Sequence, residues 1–600
     1  MCGIVGYVGP KEALGVLLPA LKRLEYRGYD SAGIAVIRQK DIDIYKDKGR
    51  IKDLEKSLSD IHGNIGIGHT RWATYGVPSK LNAHPHTDCK GDFAVVHNGI
   101  IENYVELKRD LIKRGHEFVS DTDTEVIVHL MEDHYDGDLK DALVKAVAKL
   151  KGSYAITAMH REHPKELAVM RNLSPLVLGV GEGENLVASD IPAVLGHTNR
   201  VIYLNDGEGA MVRDDSIDLF DETGNKLEAE ITSINWTLDD AEKGGYEHFM
   251  LKEIYEQPQA IREAILGKMK KNGEVFVSPI LNGKIESIKI IACGTSYHAG
   301  LVGKYIISHL TGIPCSVEIA SEYRYLSPTR DSPLEIFITQ SGETADTLAA
   351  ARESIRRGLT TLAITNVLGS SITREVNDVV YTNAGPEISV AATKSFIAQL
   401  VVFYLIGIQL GQVNSTITPS QARHLYKSLR KMPRAVEKII RNVDSIKKIA
   451  NEISCASTIF FIGRNINYPI ALEGALKLKE ISYIHGQGYP AGELKHGPLA
   501  LLDKDKPVIA IAPDDFLYEK MSSNIGEVLA RDAPVICIVS EDDTEMEKFV
   551  NHVLRIPKVE PLLTPIPITV ILQLLAYYCA LERDCSIDKP KNLAKSVTVE

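Results

Sequence analysis

The sequence predicts an α+β region followed by two similar α/β subdomains with parallel sheets, on three observations. Up to about residue 235, short segments of alternating polarity are mixed with helical stretches. From about residue 286 the rhythm becomes strand–turn–helix, the pattern of parallel α/β sheets. That rhythm restarts near residue 457, and three segments align in the same order: 290–299 with 461–471, 336–357 with 509–530, and 362–366 with 535–540. This is the mark of a duplicated unit. A chain of 600 residues needs several domains in any case, because single cores rarely grow past about 250–300 residues.

In order along the chain, Ile4, Val5 and Tyr7 suggest a first strand, and further strands are expected at 32–37, 93–97, 154–159, 167–171 and 201–204. The charged stretch 239–255, with Gly244-Gly245, reads as a connector into a helix at 257–266, and a second charged stretch follows at 267–273. In the first copy, strand 288–292 precedes a helix at 297–309, 334–339 precedes 344–357, and 362–365 precedes another helix. In the second, 458–462 leads into 468–481, and 508–512 into 517–530 and then strand 535–539. Two apolar runs read as buried helices rather than membrane spans. The run 396–410 is short and holds Gln399 and Gln409; the run 561–581 holds Pro565, Pro567 and Gln573 and ends in Glu582-Arg583-Asp584.

The net charge of -11 and pI near 6.0 argue against a general nucleic-acid or anionic-membrane surface. Residues 1–10 lack a basic start and a sustained apolar stretch, so no secretion signal is expected. The eight cysteines (2, 89, 293, 315, 455, 537, 579 and 585) form no CxxC pair, the pattern of reduced cytoplasmic thiols. No metal set emerges: His84-Pro85-His86 is the closest histidine pair and lacks a third ligand at a recognisable spacing. Without a Walker or GxGxxG loop, nucleotide and dinucleotide cofactors are not expected.

Chemistry concentrates first at Cys2. If Met1 is removed, Cys2 carries a thiol and an α-amine, and an amine with a pKa of about 8 can act as the thiol's base. The other reading of Cys2 is a buried strand residue. Polar clusters recur near strand ends at 26–31, 68–74, 97–99 and 120–125. A cysteine attacking a carboxamide needs oxyanion donors, which Asn98-Gly99 can supply. Arg71 can hold an α-carboxylate bidentately and Asp123 an α-ammonium. Together they describe a site for glutamine, although singly 97–99 reads as a hairpin turn, 121–124 as a helix N-cap and Arg71 as a surface ion pair. In the second half, the turn Gln340-Ser341-Gly342-Glu343-Thr344 can bind an anion, whereas its counterpart Pro513-Asp514-Asp515 is acidic and would repel one.

The motifs MCGIVGYVG, LEYRGYDSAGIA, GHTRWATYG, NAHPH, HNGIIEN and SDTDTEV resemble those of the N-terminal-nucleophile glutamine amidotransferases. CGTSYHAG, TQSGETADT, ALKLKEISYIHGQGYPAGELKHGPLALL and NLAKSVTVE resemble the sugar-isomerase half of the glucosamine-6-phosphate synthase family, the isomerising glutamine–fructose-6-phosphate aminotransferases. The resemblance spans essentially the whole chain. It implies an αββα sandwich over 2–238, a linker and leading helix over 239–280, two doubly wound parallel-sheet subdomains over 281–425 and 450–590, and a tail over 591–600 that closes the sugar site. It implies conversion of L-glutamine and D-fructose 6-phosphate to L-glutamate and D-glucosamine 6-phosphate, the first step of hexosamine synthesis, with ammonia channelled between sites. It also implies no cofactor, small molecules as the only ligands, no nucleic-acid or membrane partner, and a cytoplasmic homodimer.

Residue by residue, the resemblance implies Cys2 as nucleophile, Asn98 and Gly99 at the oxyanion, Arg71 and Asp123 on glutamine, Trp72 as gate of the ammonia passage, and His86 as reporter of sugar-site occupancy. Ser296, Thr339, Gln340, Ser341 and Thr344 offer hydroxyls and N–H groups for the phosphate. Glu480 moves a proton between C1 and C2, with Lys477 three positions earlier on the same helix face. His496, from the neighbouring subunit, opens the ring. Lys595 forms a Schiff base through a neutral amine, beside Ala594 and Ala391 at the sugar. Position 392 is Ala where the family usually has Ser, so one sugar hydrogen bond is missing or taken over by Thr393. Outside the resemblance, Trp72 reads as a core aromatic, Lys477/Glu480 as a solvated pair and Lys595 as a tail residue. Competing functions are weaker. No phosphoribosyltransferase signature or SGGxDS-type loop is visible, a sugar-phosphate-binding regulator would not need Glu480 and Lys595, and deglycase-type users of the same repeats lack the Cys2 domain.

Overall fold

The computed structural model describes residues 2–39, 41–58, 61–73, 75–234, 242–270, 273–327 and 333–598. Removal of Met1, the start of the expected connector (239–241) and part of the charged stretch 267–273 lie outside the described residues. The chain divides into two compact units: Met1–Glu242 with Glu343–Ala345 and Ala594–Glu600, and Lys243–Gly342 with Asp346–Leu593.

The first unit is built on two antiparallel sheets, one of eight strands and one of six. In the larger, Gly3–Val8 runs between Asn185–Ala188 and Ile65–Arg71. In the smaller, Phe93–Ile101 pairs with Gly152–His160, which pairs with Glu166–Asn172. Alternation decides the packing, since every second side chain faces inward. Ile4, Ile67 and Val187 from one sheet meet Val96, Val169 and Val212 from the other. Each such buried aliphatic side chain contributes about 1.5–3 kcal/mol. The helix Ala13–Leu24 covers the outer face of the large sheet. Its Ala13, Val16, Leu17, Ala20, Leu21 and Leu24 form one buried stripe at helical spacing. Glu125–His134 and Leu139–Val147 cover the small sheet. The result is the αββα sandwich.

The second unit contains two five-stranded parallel sheets with the same strand order, 2-1-3-4-5 within each copy. The first runs Cys315–Ile319, Ile288–Ala292, Leu334–Thr339, Thr361–Thr365, Asp378–Tyr381. The second runs His485–Pro490, Thr458–Gly463, Val508–Ile511, Val535–Ser540, His552–Ile556. The central strands, apolar on both faces, were foreseeable. The edge strands Cys315–Ile319 and His485–Pro490 were not, because they are polar and only partly buried. In this doubly wound order the connections reverse direction between the first and third strands, and a ligand crevice opens there at the carboxyl ends.

Other differences from expectation are local. A helix, Phe249–Tyr255, occupies the end of the stretch read as connector, and Pro419–Leu429, Met432–Ile440 and Asp444–Ile453 join the two sheets. The run read as too short for a membrane span is a helix of 20 residues, Lys394–Val413. It and Pro561–Glu582 are long and apolar enough to cross a membrane, but 89% and 94% of their most apolar windows are buried within the protein. Burial, not length, makes them core helices.

Candidate active site

Cys2 sits just before the first strand, half-buried, and the register Gly3↔Thr70 sets it beside the end of Ile65–Arg71. The Trp72 backbone N–H donates to Cys2 Sγ at 3.2 Å, while the thiol lies 3.5 Å from the Trp72 carbonyl. Burial pushes the thiol pKa up, opposed by the Trp72 amide and the charge of Arg71. The Cys2 carbonyl accepts from Asn98 Nδ2 at 3.1 Å and from Arg27 Nε at 3.3 Å. Arg27 is itself held by Asp190 at 2.7 Å. The Trp72 ring stands edge-on to Tyr29 with centroids 5.6 Å apart.

Arg71 is not a surface ion pair. It is buried, donates to the carbonyls of Tyr75 and Gly76, and has no salt-bridge partner among the described residues. Its Nη1 is buried without a hydrogen-bond partner. A desolvated guanidinium with one free donor edge favours a carboxylate ligand. Asp123 is also buried, and its Oδ2 accepts from the Ile101 N–H at 2.8 Å. It therefore ties its loop to the strand that carries Asn98 and Gly99. The cap residue ahead of Glu125–His134 is Thr124, whose side chain makes no cap hydrogen bond.

Sequence reasoning missed His69. Its Nε2 lies 3.1 Å from both the His97 carbonyl and Asn98 Oδ1, so an Nε2–H holds the amide oxygen there and turns Asn98 Nδ2 toward Cys2. The signal was its position two residues before Arg71 on one strand, hence on the same face. His84 stacks on His69 with centroids 4.1 Å apart, and its Nε2 reaches Thr124 Oγ1 at 3.2 Å. His86, on the short strand His86–Thr87, is buried with Nε2 3.1 Å from Thr122 Oγ1.

Burial pushes His69 down to about 3 and also lowers His84, His86 and His97. Unfolded imidazoles titrate near about 6.5, so below that pH the unfolded chain binds more protons than the native one. This stabilisation is fully present above about pH 6.5 and is lost as the pH falls toward 3, by up to about 1.4 kcal/mol per pH unit for each such histidine. Thermal melts between about pH 7.5 and 5 should show Tm falling on acidification, with a shallower fall in His69→Asn. A flat profile would contradict neutral buried imidazoles.

Gly99 has φ +131°, and a Cβ there would lie 2.0 Å from the Ser153 carbonyl oxygen. Gly99→Ala should therefore cost about 3 kcal/mol, read as denaturant midpoint, and lose glutamine hydrolysis. Unchanged stability would mean that the strand pair can move apart freely.

In the second unit, Ser296 lies in the first turn of Gly294–Thr311, after the first strand, and its Oγ accepts from Gln399 Nε2 at 3.1 Å. Thr339 ends the third strand and accepts from the Gly342 N–H at 3.2 Å; Gln340 and Ser341 follow it. Gly342 turns at φ +71°, and a Cβ would meet Ser370 Oγ at 1.9 Å. The register pairs Ala292 with Ile338, so both turns leave from neighbouring strand ends at the reversal point. Thr344 immediately precedes the helix Ala345–Arg356.

Lys477 and Glu480 are on the helix Tyr468–Ser482, and they are not a solvated pair. The Lys477 side chain is 1% exposed, with Nζ 2.6 Å from Glu480 and 3.5 Å from Glu473. It also donates to Thr295 Oγ1 at 3.0 Å. Burial opposes the ammonium charge, but Glu480 and Glu473 raise its pKa above the usual amine value. Thr295 and His298 each bond Glu473, at 3.1 and 2.7 Å. Sequence reasoning missed Thr295, His298 and Glu473, since only packing between the two helices joins them. Beside this network a cavity of about 350 Å³ is lined by Gly294, Tyr297, His298, Leu472 and Lys479, none of them a residue foreseen for the site.

Ala391 is buried, and next to Ala392 the Thr393 Oγ1 is buried without a hydrogen-bond partner. His496 ends the short helix Ala491–His496 and is exposed. Ala594 and Lys595 are partly buried, and two residues on the Val597 carbonyl accepts from the Ala345 N–H at 2.9 Å.

Comparison with known proteins follows the same division. The glutamine amidotransferase domain family matches residues 69–196, and the SIS domain family matches 283–408 and 452–583. The glutamine–fructose-6-phosphate aminotransferase [isomerizing] of Methanosarcina acetivorans is 51% identical over 619 residues, covering 100% of both chains. The protein of that name from Aquifex aeolicus is 48% identical over 603 residues, again covering 100% of both. Among solved structures, the C-terminal domain of glucosamine-fructose-6-phosphate aminotransferase from Francisella tularensis matches with TM-score 0.56 and 40% identity, over 58% of this chain and 99% of that one. With half of its residues shared end to end, this chain belongs to the family of isomerising glutamine–fructose-6-phosphate aminotransferases.

Proposed function

We propose that the protein converts L-glutamine and D-fructose 6-phosphate to L-glutamate and D-glucosamine 6-phosphate. The observation that carries this reading is the full-length match to enzymes named for that reaction. Two site geometries on one chain support it: Cys2 with Asn98 and Arg71, and the buried Lys477–Glu480 pair. The Cys2 thiolate attacks the glutamine carboxamide, Asn98 Nδ2 and the Gly99 N–H stabilise the oxyanion, and ammonia leaves. Water then releases glutamate from the thioester. Arg71 and Asp123 hold the α-carboxylate and α-ammonium.

Ser296, Thr339, Gln340, Ser341 and Thr344 hold the sugar phosphate, and Ala391 and Ala594 line the sugar. His496 opens the ring, Lys595 forms an imine at C2, and ammonia displaces the lysine. Glu480, kept beside the Lys477 cation, takes a proton from C1 and delivers one to C2, which turns the ketose imine into the amino aldose. The water released on imine formation equals the water consumed when glutamate leaves the thioester, so atoms and electrons balance over the whole reaction. Ammonia passes directly between the sites, with Trp72 as gate and His86 as the residue that senses the sugar, because free ammonia at neutral pH is mostly unreactive ammonium. The glutaminase work belongs to 2–238, the isomerase work to 281–425 and 450–590, with 239–280 as linker and 591–600 as closing tail. All eight cysteines are unpaired, which supports a reducing, cytoplasmic setting.

A coupled assay with glutamine and fructose 6-phosphate should yield glucosamine 6-phosphate; glutamine hydrolysis without sugar amination would sink the proposal. The exposure of His496 supports a homodimer in which it serves the neighbouring site. Mixing and re-associating the inactive variants His496→Ala and Glu480→Gln should restore about a quarter of wild-type synthesis, since half the dimers then carry one intact site. No recovery would place His496 in its own subunit's site.

A further inference from the structure

Sequence spacing offers no metal set, yet the fold of the first unit gathers four ligand-type side chains. Cys89 lies between the strands His86–Thr87 and Phe93–Ile101, and His116 follows the helix Tyr104–Lys113. His129 and Glu132 are one turn apart on Glu125–His134. Their ligand atoms all lie within 4.8 Å of one another. Cys89 Sγ is 3.7 Å from Nδ1 of His116 and 3.7 Å from Nδ1 of His129. Glu132 Oε2 is 3.0 Å from the first of these nitrogens and 3.3 Å from the second. Ordinary zinc bond lengths in a tetrahedron give S···N edges of about 3.6 Å and N···O edges of about 3.3 Å. The four edges fit that figure. We propose that Cys89, His116, His129 and Glu132 form a closed structural site for a divalent transition metal, zinc by the type of its ligands.

The surroundings point the same way. His116 Nε2 lies 2.7 Å from Asp133 Oδ1, and His129 Nε2 is buried, without a hydrogen-bond partner, 3.8 Å from Glu125 Oε1. If both Nδ1 atoms bind metal, each Nε2 carries its proton toward a carboxylate, the arrangement that fixes metal-bound imidazoles. Without an ion, an Nδ1–H on each imidazole would crowd, with the Cys89 N–H at 3.3 Å, onto one Glu132 oxygen. His129 Nε2 would then be a bare acceptor buried beside a carboxylate, an unfavourable pairing. The ion resolves both conflicts.

Its function is to clamp a loop. The segment between the helices Tyr104–Lys113 and Glu125–His134 carries His116 near one end and Asp123 near the other, and Glu125 accepts from the Val119 and Ser120 N–H groups at 2.7 Å each. A metal there ties this loop to the turn that bears Cys89.

The test is metal counting and cobalt substitution on the full-length protein. Protein grown with zinc and purified without chelator should hold about one zinc per chain. Stripping it should lower Tm by several degrees, reversibly on adding zinc. Cobalt(II) should give the thiolate charge-transfer band and the intense visible bands of a tetrahedral site. Cys89→Ala, at an exposed side chain, should lose the charge-transfer band. Asp133→Asn, which removes no ligand, should weaken zinc binding about 10–100-fold. Wild type without stoichiometric zinc and without a thiolate band on cobalt addition would overturn the site. So would a folded Cys89→Ala that keeps the band, or zinc affinity unmoved in Asp133→Asn.

Discussion

Cys2→Ala is expected to lower glutamine-dependent product formation by ~10⁴-fold or more, the scale seen when a covalent nucleophile is removed. The fold should survive, because Cys2 is half-buried and the hydrogen bonds of its thiol among the described residues go to the Trp72 backbone, at 3.2 and 3.5 Å. Thermal stability should move by less than about 1 kcal/mol. Amination of fructose 6-phosphate from concentrated ammonium salts should persist, since it uses neither Cys2 nor the other residues proposed to hold glutamine. Glutamine-dependent turnover above about one per cent of wild type would remove Cys2 from the mechanism. Loss of both activities would point to misfolding, which circular dichroism distinguishes.

Lys477→Met should do damage of a different kind. It removes the ammonium that lies 2.6 Å from Glu480 and 3.5 Å from Glu473, and it leaves those carboxylates and Thr295 without their shared cation. Breaking a buried ion pair from one side costs about 3–5 kcal/mol, because the remaining charge stays desolvated. The denaturant midpoint of the second unit should fall accordingly, and sugar isomerisation should be lost. Glutamine hydrolysis, which depends on residues of the first unit, should continue. The conservative Glu480→Gln separates the roles: it keeps the shape, should cost less stability and should still abolish proton transfer. A stable Lys477→Met, or an isomerising Glu480→Gln, would unseat the pair.

The legible parts of the fold were those whose burial is written locally. Central strands such as Leu334–Thr339 and Val535–Ser540 are fully buried runs of apolar residues, and the two copies repeat them in order. Edge strands escaped because half of their surface is not in the core: Cys315–Ile319 and His485–Pro490 carry no local apolar signature and become strands by pairing with a neighbour. Helix Lys394–Val413 is longer than the apolar run 396–410 because the core also buries Lys394, Ser395 and Gly411 at its ends. Gln399 Nε2 donates to Ser296 Oγ and Gln409 Nε2 to the Ser278 carbonyl, so both amide nitrogens are paired inside.

The sites divide in the same way. The sequence by itself determined the family of this protein and the residues proposed for its chemistry, because Cys2, Asn98-Gly99, Arg71, the Thr339–Thr344 turn and the Lys477/Glu480 pair lie in short motifs. Only the tertiary structure decided their electrostatic state. Strand register set Cys2 beside Trp72, buried Arg71 without an ion partner among the described residues and turned Asn98 through a neutral His69. Helix packing converted Lys477/Glu480 from a surface pair to a desolvated one, and the sandwich drew Cys89, His116, His129 and Glu132 together from distant segments. The physical reason is that residue type and spacing record local geometry, whereas desolvation and convergence depend on which distant elements share a face.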